Sequence, residues 1–203
     1  MKQVLFIALF AFVALSANAQ SFKDTFDSNT LGWTEMSSSD GEAVIKEGVM
    51  HLQGKKNGSN FYIYTPGTDV MTSAYTTFDP QQNFEIKCKA VVKKINEKNP
   101  VGIMINYQDD YNYMLFSIDE KNAYFWEYRE GKMIAYRQNA MRLRGKRNEE
   151  LSFQIKSTYN KIEFIVNNMT AIELRYKPIT SNGIGFYLYG AQTADFDDLE
   201  IIQ

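Results

Sequence analysis

Apolar residues alternate with polar ones at every second position along almost the whole chain, as in the segment Phe84–Ala90. A period of two is typical of a strand that buries one face, whereas an amphipathic helix repeats about every 3.6 residues. The pattern therefore limits the chain to an all-β fold. No helix longer than a turn or two is predicted.

The alternation divides into many short segments that are separated by residues with turn chemistry. Turns are predicted at Lys46–Gly48, Glu130-Gly131, Asn167-Asn168 and Ser181–Gly183, since these residue types favour tight reversals. Short strands spaced in this way predict a two-sheet antiparallel β-sandwich. The predicted strands are Phe22–Phe26, Ala43–Lys46, Val49–Gln53, Asn60–Tyr64, Phe84–Lys94, Val101–Tyr107, Tyr111–Ile118, Tyr124–Arg129, Met133–Gln138, Leu151–Ser157, Ile162–Val166, Thr170–Leu174, Gly183–Tyr189 and Asp195–Ile202.

Two stretches interrupt the alternation. Thr65–Asn83 contains prolines, a glycine and several Ser and Thr residues, and it is predicted to be a long loop that could hold one extra edge strand. Asn139–Glu150 is basic and then acidic, and it is predicted to project from a sheet. Because no internal repeat or linker is visible, residues 20–203 are predicted to form one domain.

The first residues have the pattern of a secretory signal peptide. Lys2 supplies a positive charge, an apolar run spans Val4–Leu15, and Ser16–Ala19 is a small-residue ending, so cleavage is expected after Ala19. The apolar run is too short to be a transmembrane segment, which needs about 20 residues. The protein is therefore expected to be periplasmic or secreted.

Composition excludes several kinds of chemistry. The formal net charge of −2 gives no support for nucleic-acid binding. Cys88 is the only cysteine, so an intramolecular disulfide is excluded, and alternation predicts a buried, inert thiol. His51 is the only histidine, so any catalytic triad would have to be built on it. An exported domain without disulfides fits bacterial export and depends on packing.

Several weak motifs follow one another in a characteristic order. An aromatic-acidic strand and a Gly-Trp step come first, then a Gly-Ile strand, an acidic Asn-Tyr turn and an Asn-x-x-Leu strand, and the chain closes on Gly-Ile-Gly-Phe and Asp-Phe-Asp-Asp-Leu. The segments are Phe22–Phe26, Gly32-Trp33, Val101–Ile105, Asp109–Phe116, Asn148–Phe153, Gly183–Phe186 and Asp195–Leu199. This order resembles the concanavalin A-like lectin/glucanase superfamily, in particular small exported jelly-roll domains of bacteria. The resemblance implies a jelly-roll sandwich, a fold that carries lectins, glycan-binding modules and glycosidases.

The acidic residues of the last strand raise the question of glycoside hydrolysis. Glycosidases of the superfamily carry a Glu-x-Asp-x-Glu strand, sometimes with one extra residue, and retaining hydrolysis needs two carboxyl groups about 5–5.5 Å apart. Here Asp195, Asp197 and Glu200 follow the longer spacing, with aspartate in the first position. Without a bulge, Glu200 points to the face opposite Asp195 and Asp197. The alternation therefore favours a structural role for these acids.

Structural calcium is a second interpretation of the same acids, since calcium sites are common in the resembled superfamily. Calcium takes six to eight oxygen ligands from carboxylates and carbonyls. The first and last strands often lie side by side in such sandwiches, so Asp24 is expected to meet Asp197, with Asp27 and Asp198 as the alternatives. Calcium is the only cofactor predicted.

Aromatic residues provide the more promising binding surface. The apolar C–H faces of sugar rings stack on aromatic rings, while polar neighbours bind the hydroxyls. The predicted carbohydrate-contacting residues are Tyr107, Tyr113, Trp126, Tyr128 and Tyr187, with polar partners expected among Asn106, Gln108 and Asn112. The alternative is that these rings belong to the core or its rim, because aromatics dominate β-sandwich cores.

Two groups of charged residues have simpler interpretations. Glu127 is expected to pair with Arg129 on its own side of the strand, opposite Trp126 and Tyr128. A basic cluster either binds an anionic glycan or acidic partner, or is a solvated loop balanced by Glu149 and Glu150. Its members are Arg137, Arg142, Arg144, Lys146 and Arg147.

The sequence therefore predicts an exported, non-catalytic protein that binds a carbohydrate, either a glycan or a polysaccharide. Two alternatives stay open. The first is a glycoside hydrolase of the concanavalin A-like type, and the second is a module that binds other cell-envelope proteins. Facing carboxylates in a cleft would favour hydrolysis, exposed rings without them would favour binding, and a flat apolar patch would favour a protein partner.

Overall fold

A computed structural model describes residues 21–57, 68–95, 97–143 and 147–203. The predicted signal peptide, the predicted strand Asn60–Tyr64, and Arg144 and Lys146 lie outside the described residues. The first strands are β1 (Ser21–Asp24), β2 (Met36–Ser37), β3 (Gly41–Lys46), β4 (Val49–Gly54), β5 (Asp69–Tyr75), β6 (Phe84–Lys94), β7 (Val101–Asp109) and β8 (Asn112–Ile118). They are followed by β9 (Asn122–Arg129), β10 (Lys132–Ala140), β11 (Arg147–Ser157), β12 (Lys161–Val166), β13 (Met169–Arg175), β14 (Gly183–Tyr189) and β15 (Thr193–Ile202).

These strands form two antiparallel sheets that pack face to face. The nine-stranded sheet has the order β13-β12-β11-β6-β15-β4-β3-β2, and β1 pairs with β15. The six-stranded sheet has the order β10-β9-β8-β7-β14-β5. The described ranges contain no helix, and therefore none that is long and apolar enough to cross a membrane. The predicted all-β antiparallel jelly-roll sandwich is confirmed.

Three of the predicted turns are two-residue hairpin loops with a left-handed backbone. Glu47-Gly48, Glu130-Gly131 and Asn167-Asn168 all have positive φ at both positions. Two positive φ values give the mirror-image turn whose twist matches that of the strands it joins. Glycine and asparagine enter this region at little cost, so the turn residues set the register of the hairpins β3–β4, β9–β10 and β12–β13.

The predicted loops are shorter than expected. The stretch Thr65–Asn83 contains β5, which forms one edge of the six-stranded sheet. Strand β10 extends to Ala140 and β11 begins at Arg147, so half of Asn139–Glu150 lies in strands. The short strand β2 carries no alternation and was not predicted. Strand pairing extends these elements beyond what their local sequence indicates, because the neighbouring strands supply the hydrogen bonds.

The core between the sheets contains a continuous chain of aromatic ring contacts. Phe186 of β14 stacks on Trp33 at 5.1 Å and on Phe196 of β15 at 4.2 Å, so one ring joins the two sheets. A second contact between sheets joins Phe116 of β8 to Phe164 of β12 at 5.6 Å. Such pairs contribute about 0.5–1.5 kcal/mol each beyond the area they bury.

Trp33 is held in this core by a buried carboxylate. The Trp33 indole N–H donates to Asp24 Oδ2 at 2.9 Å, and the Phe26 amide donates to Asp24 Oδ1 at 2.9 Å. Asp24 is 5% exposed and Trp33 is 2% exposed. Because a buried indole N–H needs an acceptor, Asp24 is a structural group of the first strand.

Replacing Asp24 with alanine is expected to lower the free energy of unfolding by about 1–3 kcal/mol, since the Trp33 N–H would be left buried without its acceptor. Asp24→Asn is expected to cost less, because it retains one oxygen. Urea denaturation followed by Trp fluorescence measures both changes. Asp27→Ala is the matched control, since Asp27 is exposed and accepts a hydrogen bond from the Thr25 hydroxyl at the surface. Equal losses for Asp24→Ala and Asp27→Ala would contradict this role.

Candidate functional site

The outward-facing side chains of the six-stranded sheet form rows that cross all six strands. One row contains Tyr136, Trp126, Leu115, Met104, Gly185 and Ser73. The adjacent row contains Gln138, Tyr124, Ser117, Gly102, Tyr187 and Met71. Alternation produces these rows, because the residues between them point into the core.

Half of these residues belong to a second apolar cluster, separate from the main core, which we call the tyrosine face. Its buried members are Met104, Tyr113, Leu115, Tyr124, Trp126, Tyr187 and Tyr189, and its half-buried members are Met71, Tyr107 and Tyr128. All five predicted carbohydrate-contacting residues belong to it. The structure therefore brings together residues from β7, β8, β9 and β14 that are far apart in the sequence.

The five predicted residues differ in their exposure. Trp126 is 2% exposed, Tyr187 is 5% exposed and Tyr113 is 9% exposed, so these rings present little surface. Tyr107 and Tyr128 are half-buried. The Trp126 ring lies 4.6 Å from the ring of Tyr136, which is 42% exposed. The buried rings thus support a smaller number of accessible ones.

Ring stacking makes this surface rigid. Tyr113 and Tyr128 face each other across β8 and β9, with their ring centres 4.9 Å apart and their planes 28° apart. Tyr124 and Trp126 stack at 6.0 Å along β9. Offset stacking of this kind is a favourable arrangement for aromatic pairs. A ligand that binds here meets a preformed surface.

Asp69, at the start of β5, is an acidic group in contact with the tyrosine face; two others are Asp119, which accepts from Tyr124, and Asp110, which accepts from Tyr107. The Tyr187 hydroxyl donates to Asp69 Oδ1 at 2.5 Å. Burial raises the pKa of Asp69 above its ordinary value, and the Tyr187 hydrogen bond opposes this shift. Retaining a carboxylate in such an environment is typical of functional sites.

The tyrosines near Asp69 are themselves perturbed. Burial raises the pKa of Tyr128 to about 12, and the negative charge of Asp69 adds to the shift. Burial is also the main reason that the pKa values of Tyr113 and Tyr187 are raised, and Asp69 again contributes. These hydroxyls therefore lie within electrostatic reach of one carboxylate and remain neutral donors.

One end of the tyrosine face has a polar rim. The Tyr107 hydroxyl donates to Asp110 Oδ1 at 2.8 Å, and the Tyr75 hydroxyl donates to the Gln108 carbonyl at 2.6 Å. The Tyr75 and Tyr107 rings are 6.2 Å apart, and Tyr75 is 55% exposed. Exposed rings beside hydrogen-bonding groups suit a sugar, which has both apolar and polar faces.

The predicted polar partners mainly hold loops in place. Asn106 Oδ1 accepts the amides of Thr180 and Ser181 at 2.8 and 2.9 Å. The Asn112 amide group donates to Asp109, and its oxygen accepts the Glu130 amide at 3.0 Å. The side chain of Gln108 donates to Thr180 Oγ1 at 3.1 Å.

Three residues of this surface were missed by the sequence analysis, namely Asp69, Tyr75 and Tyr136. Asp69 and Tyr75 lie in the stretch that was predicted to be mainly loop. Tyr136 lies on β10, whose pattern contains a bulge between Met133 and Ala135. For Asp69 and Tyr75, the available signal was the period-two spacing of Asp69, Met71, Ser73 and Tyr75, which places them on one face of a strand.

The acids of the last strand lie on the other sheet. Contrary to the expectation for an unbroken strand, Glu200 points outward together with Asp195 and Asp197, since a bulge at Asp198 (φ 50°) shifts the register. Each acid has a partner. His51 Nδ1 lies 2.5 Å from Asp195, and Lys23 lies 3.2 Å from Glu200.

The two residues predicted to bind calcium do not meet. Asp24 lies opposite Leu199 and faces the core, where Trp33 and Phe26 occupy both of its oxygens. Asp197 points to the outer surface of the nine-stranded sheet and accepts the Asp198 amide at 2.6 Å. Among the described residues, no group of three or more His, Cys, Asp or Glu side chains is arranged to hold a metal ion.

The remaining candidates are structural in their contacts. Glu127 is 3% exposed and pairs with Arg129 at 2.9 Å, as predicted, and also with Lys177. Cys88 is buried, and burial raises the pKa of its thiol well above the ordinary range. Arg137 donates to the Glu173 carbonyl at 2.7 Å.

The basic cluster is described only in part. Arg142 is exposed, and Arg147 begins β11 opposite Lys94 in β6. Arg144 and Lys146 lie outside the described residues. Arg137 and Asn139 of β10 both bond to the backbone of the edge strand β13. Asn139 donates to the Ala171 carbonyl at 2.8 Å. These two contacts help to close the side of the sandwich where β10 and β13 meet.

Solved structures with the same architecture place the chain in a known fold. The carbohydrate-binding module CBM66 from Bacillus subtilis matches with a TM-score of 0.58 at 16% identity, over 85% of this chain and 96% of that one. The catalytic domain of an endo-1,3-beta-glucanase (laminarinase) from Thermotoga petrophila matches with a TM-score of 0.59 at 10% identity, over 92% and 98%. No protein-family model and no curated protein sequence matches the chain.

A third match is a Bacillus subtilis protein of unknown function with a galectin-like fold, with a TM-score of 0.59 at 11% identity, over 92% of this chain and 98% of that one. At these identities the likeness establishes the fold, and it leaves the function open. The chain has a jelly-roll β-sandwich fold, as the motif order implied.

Asp69→Asn is expected to stabilise the protein more at about pH 7 than at about pH 3. Since the pKa of Asp69 is raised, the folded state holds this proton more tightly than the unfolded chain, whose Asp pKa is about 3.9. The contribution of the acid to stability is present at low pH and is lost as the pH rises through the raised value.

Asparagine avoids that loss, because it stays neutral and still accepts from Tyr187. Thermal unfolding of both proteins at the two pH values measures the difference. A stability difference that is equal at both pH values would show that burial of Asp69 carries no electrostatic cost.

Proposed function

We propose that this protein is exported and binds a carbohydrate on the tyrosine face without hydrolysing it. The observation that carries the proposal is the set of accessible tyrosine rings on one rigid outer surface, which also holds Asp69 through its hydrogen bond from Tyr187. Sugars offer C–H faces for stacking and hydroxyls for hydrogen bonding, and this surface offers partners for both.

The contact residues are the accessible rings, and the buried rings position them. Tyr136 is supported by Trp126, and Tyr128 is supported by Tyr113. Tyr75 and Tyr107 form the end of the surface. Since the supporting rings are already packed, binding requires little ordering of side chains, which reduces its entropic cost.

The separation of the acids argues against hydrolysis. Asp110 follows β7 and lies at the end of the sheet that holds Tyr107 and Tyr75. Asp69 begins β5, six residues before Tyr75, and therefore lies toward the opposite end. Their backbone positions are thus roughly 20 Å apart along the strands. A retaining pair is about 5–5.5 Å apart and an inverting pair about 6.5–9.5 Å apart.

Hydrolysis remains the second candidate because of one property of Asp69. A carboxyl group with a raised pKa suits a general acid. The second catalytic group, a nucleophile or base, would have to come from the ligand or from another residue, since Asp110 is too far away. A glycanase with a catalytic pair is therefore less well supported than a binding module.

The signal-peptide pattern of residues 1–19 supports export to the periplasm or beyond, where polysaccharides are accessible. Cell-envelope proteins are the alternative partners. The exposed apolar side chains Met133, Ile134 and Tyr136 on the edge strand β10 are the surface that such a partner would use.

Tyr136→Ala and Tyr107→Ala are each expected to weaken binding of the best glycan by roughly tenfold, about 1.4 kcal/mol, through loss of stacking. The measurement is a glycan array followed by calorimetry on the strongest hit. Tyr159→Ala is the matched control, because Tyr159 is 75% exposed and lies in the turn between β11 and β12 of the other sheet. An unchanged affinity in both variants, with folding intact, would remove the tyrosine face as the binding site.

The intact protein is expected to release no reducing ends from any polysaccharide that it binds. A reducing-sugar assay over hours, with Asp69→Asn as the comparison, checks this expectation. Hydrolysis that disappears in Asp69→Asn would replace the binding proposal with a glycanase that uses Asp69 as its acid.

A further inference from the structure

Asp69 is a charged residue on a surface of mainly uncharged side chains. Away from the hairpin turns, it is the single charged side chain among the outward-facing residues of the six described strands of this sheet. Its neighbours are aromatic, apolar or uncharged polar groups. The opposite surface of the sandwich differs, since Lys23–Glu200 and Lys156–Glu85 pair across its strands.

The charge of Asp69 has no cationic partner among the described residues. Its Oδ1 accepts the Tyr187 hydroxyl, and Oδ2 accepts no hydrogen bond within the same part of the chain. The other buried acids are compensated. Glu127 holds two cations, and Asp119 accepts the amides of Lys98, Lys121 and Asn122. A half-buried carboxylate without such compensation is costly.

The aromatic surroundings favour a positive charge. Tyrosine rings have negative faces that attract an ammonium group placed over them, and the attraction grows when water is excluded. Tyr113 and Tyr128 are stacked beside each other, and both hydroxyls sense the charge of Asp69. The rings and the carboxylate therefore act in the same direction, toward a cation.

We propose that the glycan bound here carries a protonated amino group, as in glucosamine units, and that Asp69 accepts a hydrogen bond from it. The ammonium of one sugar unit donates to Asp69 Oδ2, while other units of the same glycan stack on the accessible tyrosines. This proposal rests on the proposed carbohydrate-binding function and specifies the class of sugar. A neutral sugar would leave the acid uncompensated, whereas an amino sugar neutralises it.

The test compares two oligosaccharides that differ only at the nitrogen. Calorimetry is performed in slightly acidic buffer with a glucosamine hexamer, whose amines are protonated, and with the N-acetylglucosamine hexamer, whose amides are neutral. The glucosamine hexamer is expected to bind at least roughly tenfold tighter. Asp69→Asn is expected to abolish this preference, because it removes the charge and keeps the shape.

Asp27→Asn is the matched control, since it makes the same change of charge at an exposed site near the β3–β4 turn. It is expected to leave the preference unchanged, which excludes a general effect of net charge. Thermal unfolding verifies that each variant is folded.

The possible failures are distinguishable. Equal binding of the two hexamers, or a preference that survives Asp69→Asn, overturns the amino-sugar proposal and leaves carbohydrate binding on the tyrosine face intact. Tighter binding of the N-acetylated hexamer does the same. Glycan-array binding of neutral sugars alone, lost in Tyr136→Ala, also keeps the function and rejects the cationic ligand. Absence of binding to every glycan rejects both proposals.

Discussion

The aromatic chain that runs from Trp33 through Phe186 and Phe196 joins the two sheets, and the rest of the structure depends on it. Phe186 and Phe196 occupy inward positions of β14 and β15, and Trp33 packs on Phe186 from the segment between β1 and β2. The three rings fill part of the space of about 10 Å between packed sheets. The outward rings of the six-stranded sheet form a second cluster, in which Trp126 and Tyr187 are buried while Tyr107 and Tyr128 are half-buried. These rings therefore stabilise the sheet and also present accessible ring surface.

The outer surfaces of the two sheets differ in composition. On the nine-stranded sheet, Lys87 pairs with Glu85 and Lys89 with Asp198, which makes a solvated surface of balanced charge. Surface pairs of this kind contribute little stability and chiefly keep the sheet soluble. The described strands of the six-stranded sheet carry the tyrosine face, with Asp69 as their single outward-facing acid away from the hairpin turns. A soluble protein rarely maintains such a surface without a ligand or partner for it.

The sequence predicted the sheets and the faces better than the site. Period-two alternation correctly placed Trp126 opposite Glu127, because parity is a local property. It failed at Asp198 and at Met133/Ala135, where a bulge inserts a residue and reverses parity. It also could not tell that Trp126 is buried. Burial depends on cross-strand neighbours such as Tyr136, whose register is decided by pairing far along the chain.

Asp69 lowers the stability of the folded protein when it is ionised, because burial disfavours its charge. An asparagine there would keep the Tyr187 hydrogen bond and avoid the cost of burying a charge, so folding alone gives no reason for an acid. Proteins retain charges that lower their stability at sites where the charge is needed to bind a ligand. Because the described residues supply no cation to this carboxylate, and the tyrosines near it also favour one, the proposed ligand is the group that would neutralise it.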